Sequence, residues 1–125
     1  MLNHQPKKKK YLFMREKIRD RGRLEHIVEQ LNNIEEFVAN KTLKDLENDK
    51  VLQYAVIKCI EIIGEASYML TNEFKNTHKE VEWEEIIRMR HVLVHGYYHI
   101  SVMMVWEIIQ SDLHNLKIQI LNYLK

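Results

Sequence analysis

A chain of 125 residues with one proline and three glycines has few residues suited to tight turns. Pro6 is the proline, so residues 7–125 contain none, and the glycines are Gly22, Gly64 and Gly96. β-Sandwiches and barrels place such residues at many corners, so their scarcity argues for long helices. The single cysteine, Cys59, excludes an internal disulfide. Flanked by Val56, Ile57 and Ile60 it reads as a small core residue, and the lack of pairing suits a reducing cytoplasm. No apolar run approaches the ~18 residues of a membrane span, so no membrane association is expected. Lys7 to Lys10 followed by Tyr11-Leu12-Phe13-Met14 has the outline of a signal peptide, but Arg15-Glu16-Lys17 ends the apolar part too soon. Charge of one sign is also missing. Nineteen Lys and Arg face eighteen Asp and Glu, a formal net charge of +1. Any nucleic-acid contact would therefore use a local patch rather than a global basic field.

What is present is apolar periodicity. Residues 1–14 read as a basic tail, because the four consecutive lysines repel one another. A solvated arm is the plain reading and an RNA-attracting arm the functional one. Residues 15–125 then form one domain. Leu24, Ile27, Val28, Leu31, Ile34, Phe37 and Val38 predict a first helix over about 20–40, broken at Asn40-Lys41-Thr42. Thr42 is a candidate N-cap for a short turn through Leu46. A second, long helix is expected over about 49–74. Its apolar residues, Val51, Leu52, Ala55, Ile57, Ile60, Ile62, Ile63, Ala66 and Leu70, cover more than one face, as in a helix buried on several sides and at a subunit interface. Gly64 in its middle costs about 1 kcal/mol relative to alanine, which the close approach of another backbone would explain. A third helix is expected over about 83–95 with Gly96 as its C-terminal cap. A fourth is expected over about 102–124 with Ser101 as its N-cap. The fold class is all-α, an up-and-down antiparallel bundle of about four to five helices.

The third helix carries polar residues that packing does not require: Arg88, Arg90, His91 and His95. Arginine is permanently charged and forks onto phosphate oxygens, and histidine exchanges protons near neutrality. Together they suit RNA cleavage, because the ribose 2′-hydroxyl is an internal nucleophile and no metal-activated water is needed. Arg90 and His95 are about 140° apart around an ideal helix. They converge only if the helix unwinds near Gly96 or if two copies share one cleft, whereas Arg88, His91 and His95 share a face. Each residue also has a structural reading. Arg90 can bridge helices, His95 can complement a helix C-terminus, Glu65 can pair with a cation, and Tyr97 and Tyr98 can be core aromatics. His91, His95 and His99 have the i, i+4 spacing of zinc ligands. Gly96 interrupts them and no nearby Cys or Asp completes the set, so no metal and no cofactor is expected.

The run Ile86-Ile87-Arg88-Met89-Arg90-His91-Val92-Leu93-Val94-His95-Gly96-Tyr97-Tyr98 resembles the signature of HepT-like HEPN toxins, in which Arg is followed after four to six residues by His, any residue and Tyr. Arg90, His95 and Tyr97 fit it directly, and Arg88 fits at the six-residue limit. Ile62-Ile63-Gly64-Glu65-Ala66 is similar to that family's second-helix motif, and Trp83 and Val105-Trp106 stand where the family has them. The likeness spans about residues 15–120. The chain departs from it at His91, where the family often has Asn.

The resemblance implies a HEPN-like helical bundle and a metal-independent endoribonuclease, the toxin of a toxin–antitoxin pair. The wide apolar surface of the second helix and the divergence of Arg90 and His95 predict a homodimer with its cleft at the two-fold axis, and the lone cysteine suits the cytoplasm. Arg90 and His95 would be catalytic, with Arg88, His91 and Glu65 in support. The partners implied are RNA and a minimal nucleotidyltransferase antitoxin that transfers AMP from ATP onto Tyr97, or less favourably Tyr98. The competing reading is a non-catalytic module of the same fold that binds nucleotide or docks on a nucleotidyltransferase. Such a module has no need of the Arg90/His95 pair.

Overall fold

The structure, a computed structural model, describes residues 6–95 and 101–125, with side chains described from residue 19 onward. Its elements are α1 (Pro6–Val38), α2 (Leu43–Glu47), α3 (Lys50–Tyr68), α4 (Asn72–Thr77), α5 (Trp83–His95), α6 (Val102–Glu107), a π-helical segment (Ile108–Asp112) and α7 (Leu113–Tyr123). The last three follow one another without a break, so the described residues form six helical rods and the fold is an all-α, HEPN-like bundle.

Local chemistry explains most boundaries. α1 ends where Asn40 adopts a left-handed φ of 61°, a conformation asparagine tolerates better than most residues. Thr42 then caps α2 in a capping box. Its backbone N–H donates to Asp45 Oδ2 at 2.8 Å, and Asp45 N–H donates back to Thr42 Oγ1 at 3.2 Å. The backbone hydrogen bond from Thr42 holds the Asp45 carboxyl below its ordinary pKa. Asp49 caps α3 through Leu52 N–H, and Ser101 caps α6 through Met104 N–H, as its sequence position predicts.

Three boundaries differ from expectation. α1 starts at Pro6 rather than near Asp20. Proline is suited to the first helical position, and Lys, Leu, Met, Arg and Glu are all good helix formers, so local propensity outweighs the lysine repulsion. The long second helix divides into α3 and α4. Thr71 caps α4 through Phe74 N–H, while its own N–H and hydroxyl donate to the buried carboxylate of Asp20 at 2.9 and 2.6 Å. A cap tied to another helix wins over continued apolar periodicity. The fourth helix carries the π-helical segment, which no periodicity announces.

The core lies around α3, which packs chiefly against α1 and α5. Ile27 and Ile34 of α1, Val56, Ile60 and Ile63 of α3, Leu93 of α5 and Ile120 of α7 are fully buried. Each such side chain contributes roughly 1.5–3 kcal/mol by leaving water. Cys59 is buried with them, and burial pushes its thiol pKa up, as expected of an inert core cysteine. Trp83 is buried and donates its indole N–H to the His78 carbonyl at 2.9 Å, and Trp106 packs on the edge of the core. Both tryptophans therefore serve packing. Val51 departs from the apolar pattern of α3, being 79% exposed, and Tyr54 one turn later is exposed as well. No described helix is long and apolar enough to cross a membrane.

Candidate active site

α3 and α5 lie side by side, and their contact places Arg90. Gly64 faces Arg90 so closely that a Cβ at position 64 would overlap the Arg90 Cβ and stand 3.1 Å from its Cγ. The close approach expected at Gly64 is thus made by a side-chain stem rather than by a backbone. With its stem laid across Gly64, Arg90 reaches the next residue of α3, and its Nη2 stands 2.9 Å from Glu65 Oε2. The Arg90 side chain is 36% exposed and that of Glu65 is 51% exposed. This pair is open to water and contributes little stability. Its consequence is orientation: an arginine with a fixed stem and an accessible guanidinium edge.

α5 remains helical through His95. The separation of about 140° between Arg90 and His95 therefore stands, and no unwinding before His95 brings them round to one another. His91 and His95 do come together, one turn apart, with ring centroids 4.7 Å apart and planes tilted by 52°. Both are exposed. Val92 and Val94, on either side of the buried Leu93, are also exposed, at 40% and 37%. Arg88 lies on the His91/His95 side of α5, bordering the same groove as His91, and makes an exposed pair with Glu85 at 2.9 Å. Expected site residues thus divide into Arg90 with Glu65 on one side, and His91 and His95 with Arg88 on the face expected for them. Gly96, Tyr97, Tyr98 and His99 lie outside the described residues, and with them the expected helix cap, the modification site and a third zinc ligand.

Two grooves flank α5. One, of about 760 Å³, runs towards the π-helical segment, with Val81, Ile86, Met89 and Leu116 on its floor and Glu80, Glu85 and Asp112 among its polar residues. The other, of about 840 Å³, lies towards α4 and is bordered by Tyr68, Lys75, Lys79 and His91. Tyr68, Lys75 and Lys79 carry no signal in the helical pattern. Only the folding back of α4 beside α5 brings them to the motif.

Chemically, the α3–α5 face can do two things. A phosphate can meet the fixed guanidinium of Arg90, and two neighbouring imidazoles can exchange protons without a metal. Among the described residues no group of three His, Cys, Asp or Glu is placed to hold a metal ion.

Comparison with known proteins agrees in kind. The profile of the family described as "Ribonuclease HepT-like" matches residues 27–122. A protein of Thermococcus cleftensis, named a probable ribonuclease HepT, is 43% identical over 94 residues, covering 75% of this chain and 86% of that one. A candidate RNase of Methanocaldococcus jannaschii is 35% identical over 91 residues, covering 73% and 84%. A candidate RNase of Caldanaerobacter subterraneus is 36% identical over 97 residues, covering 78% and 87%. No solved structure matches.

Proposed function

The chain belongs to the HepT-like ribonuclease family, and from that premise we propose that it is a metal-independent endoribonuclease, the toxin of a toxin–antitoxin pair, that cuts RNA with Arg90 and His95. The observation that carries this reading is the cradle at Gly64: a glycine in mid-helix gives up about 1 kcal/mol of helix propensity and makes room for one arginine stem.

In the proposed reaction the ribose 2′-oxygen attacks the adjacent phosphorus and the bond to the 5′-oxygen breaks. The products are a 2′,3′-cyclic phosphate and a free 5′-hydroxyl. One imidazole takes the 2′-hydroxyl proton and one supplies a proton to the leaving oxygen. His95 fills one role, and His91, at 4.7 Å, stands where it can assist. Arg90 leaves Glu65 in part or whole and holds the developing charge on the phosphate oxygens. Because Arg90 and His95 diverge on one helix, the working site combines Arg90 of one copy with His95 of a second. The exposed Val92 and Val94 of α5, and Val51 and Tyr54 of α3, are apolar surface for such a homodimer.

The proposed silencing follows the same electrostatics. A minimal nucleotidyltransferase joins the Tyr97 hydroxyl oxygen to the α-phosphorus of ATP, releasing pyrophosphate and the hydroxyl proton. Tyr97 is two residues past His95 in the sequence. The added phosphate brings negative charge to the arginine intended for RNA and repels the RNA backbone. The test of the reading is RNA cleavage by the purified protein in chelator, beside His95→Ala. Cleavage by the parent alone supports it, and no cleavage by the parent sinks it.

A further inference from the structure

The catalytic reading leaves a large tyrosine unexplained. Tyr68 is the last residue of α3, one turn beyond Glu65, and it is 60% exposed. It borders the groove on the α4 side of α5, which reaches His91. Lys75 of α4 reaches back to it. Lys75 Nζ donates to the Tyr68 carbonyl at 3.2 Å and stands 5.8 Å from the ring centroid. The lysine therefore approaches one side of the ring, and the exposure leaves ring surface open to solvent. Asn72, Asn76 and Lys79 complete this end of the groove with hydrogen-bond donors and a second cation.

We propose that the Tyr68–Lys75 end of this groove binds single-stranded RNA, with one base stacked on the Tyr68 ring and its phosphate held by Lys75 and Lys79. The inference rests on the ribonuclease reading and specifies how its substrate lies. The chemistry fits single strands, since a base already stacked in a duplex offers no free face to an aromatic side chain. The fit is tolerant of sequence, because every base has a π-face. Charge decides the direction. Glu82 and the Glu85–Arg88 pair border both grooves, and the groove on the other side of α5 adds Glu80 and Asp112 with no further cation, which repels a phosphate chain. The Tyr68 groove adds Glu84 together with Lys75, Lys79 and His91, and its carboxylates lie along the start of α5. Phosphates are thereby confined to the opposite wall, where Lys75 of α4 and Lys79 of the turn after it stand. A strand lying there passes His91 on its way to His95.

The test uses the full chain and a single-stranded 2′-O-methyl RNA dodecamer, which lacks the attacking hydroxyl and so reports binding alone. Stacking on an aromatic ring is worth enough that Tyr68→Ala is expected to weaken binding by about tenfold. Tyr68→Phe should bind as the parent does. Lys75→Ala should lower the slope of log affinity against log salt by about one. Unmodified RNA cleavage by the same proteins is measured alongside, with circular dichroism to show that the helices persist. Parent-like binding by Tyr68→Ala, or equal weakening by Tyr68→Phe, overturns the proposal even while the parent still cuts RNA. A parent that neither binds nor cuts RNA overturns the ribonuclease reading together with it.

Discussion

Gly64 and Arg90 occupy one another's space: the hydrogen at position 64 is all that fits beneath the arginine stem. The atom that an alanine would strike is the Arg90 Cβ, which cannot swing away without moving α5. Gly64→Ala should gain about 1 kcal/mol of helix propensity and lose it again to the clash. Its main effect is expected on catalysis. A displaced guanidinium should lower RNA cleavage by about 10²-fold at unchanged helical content. Cleavage rates read beside circular dichroism check this, and an unaltered rate would detach the cradle from function.

If the site is shared between copies, two inactive variants can repair each other. In a mixed dimer of Arg90→Ala and His95→Ala, one cleft contains an intact Arg90 and an intact His95, and the other contains neither. Random mixing should restore about a quarter of parental activity, because half of the dimers are mixed and each has one good site. A mixture as inactive as its components would place both residues in one subunit's site.

The modification is expected on Tyr97. Co-expression with the cognate nucleotidyltransferase, followed by mass spectrometry, should find AMP on Tyr97 and a silent ribonuclease. Tyr97→Phe should escape silencing and Tyr98→Phe should not. AMP on Tyr98 alone would transfer the assignment to its neighbour.

Far from the motif, Tyr123 donates its hydroxyl to Glu80 at 2.8 Å. Burial, and then the hydrogen bond and charge of Glu80, push the Tyr123 pKa well above its ordinary value. Hydrogen bonds, first from its own backbone and then from Tyr123, hold the Glu80 pKa down. A lowered carboxyl pKa stabilises the fold above the unfolded value of about 4.3 and ceases to do so as pH falls through the folded value. A raised tyrosine pKa stabilises it below about 10 and ceases as pH rises through the folded value. Tyr123→Phe should therefore be less stable than the parent at pH 7 in urea titrations, with the difference shrinking at pH 3. A difference that persists unchanged at pH 3 would assign the effect to packing.

The sequence showed the helical class, the end of α1 at Asn40, the caps Thr42 and Ser101, and the start of α5 at Trp83, because each is set by local periodicity or by a side chain bonding its own backbone. The break between α3 and α4 was not legible, since it depends on Asp20, which is 51 residues from Thr71. Within the site, Gly64 and Glu65 were visible as a motif, but their joint action on Arg90 is a tertiary fact. Tyr68 and Lys75 were missed because they lie on different helices and become neighbours only through the turn at Thr71.

Whether Arg90 and His95 cut RNA without a metal is decided by end-group analysis of RNA treated with the purified protein in EDTA. The parent should release fragments ending in 2′,3′-cyclic phosphate, and Arg90→Ala and His95→Ala should each be slower by about 10²–10⁴-fold with the helical fold intact. Cleavage abolished by EDTA, or undiminished in His95→Ala, would rule out metal-free cutting by this pair.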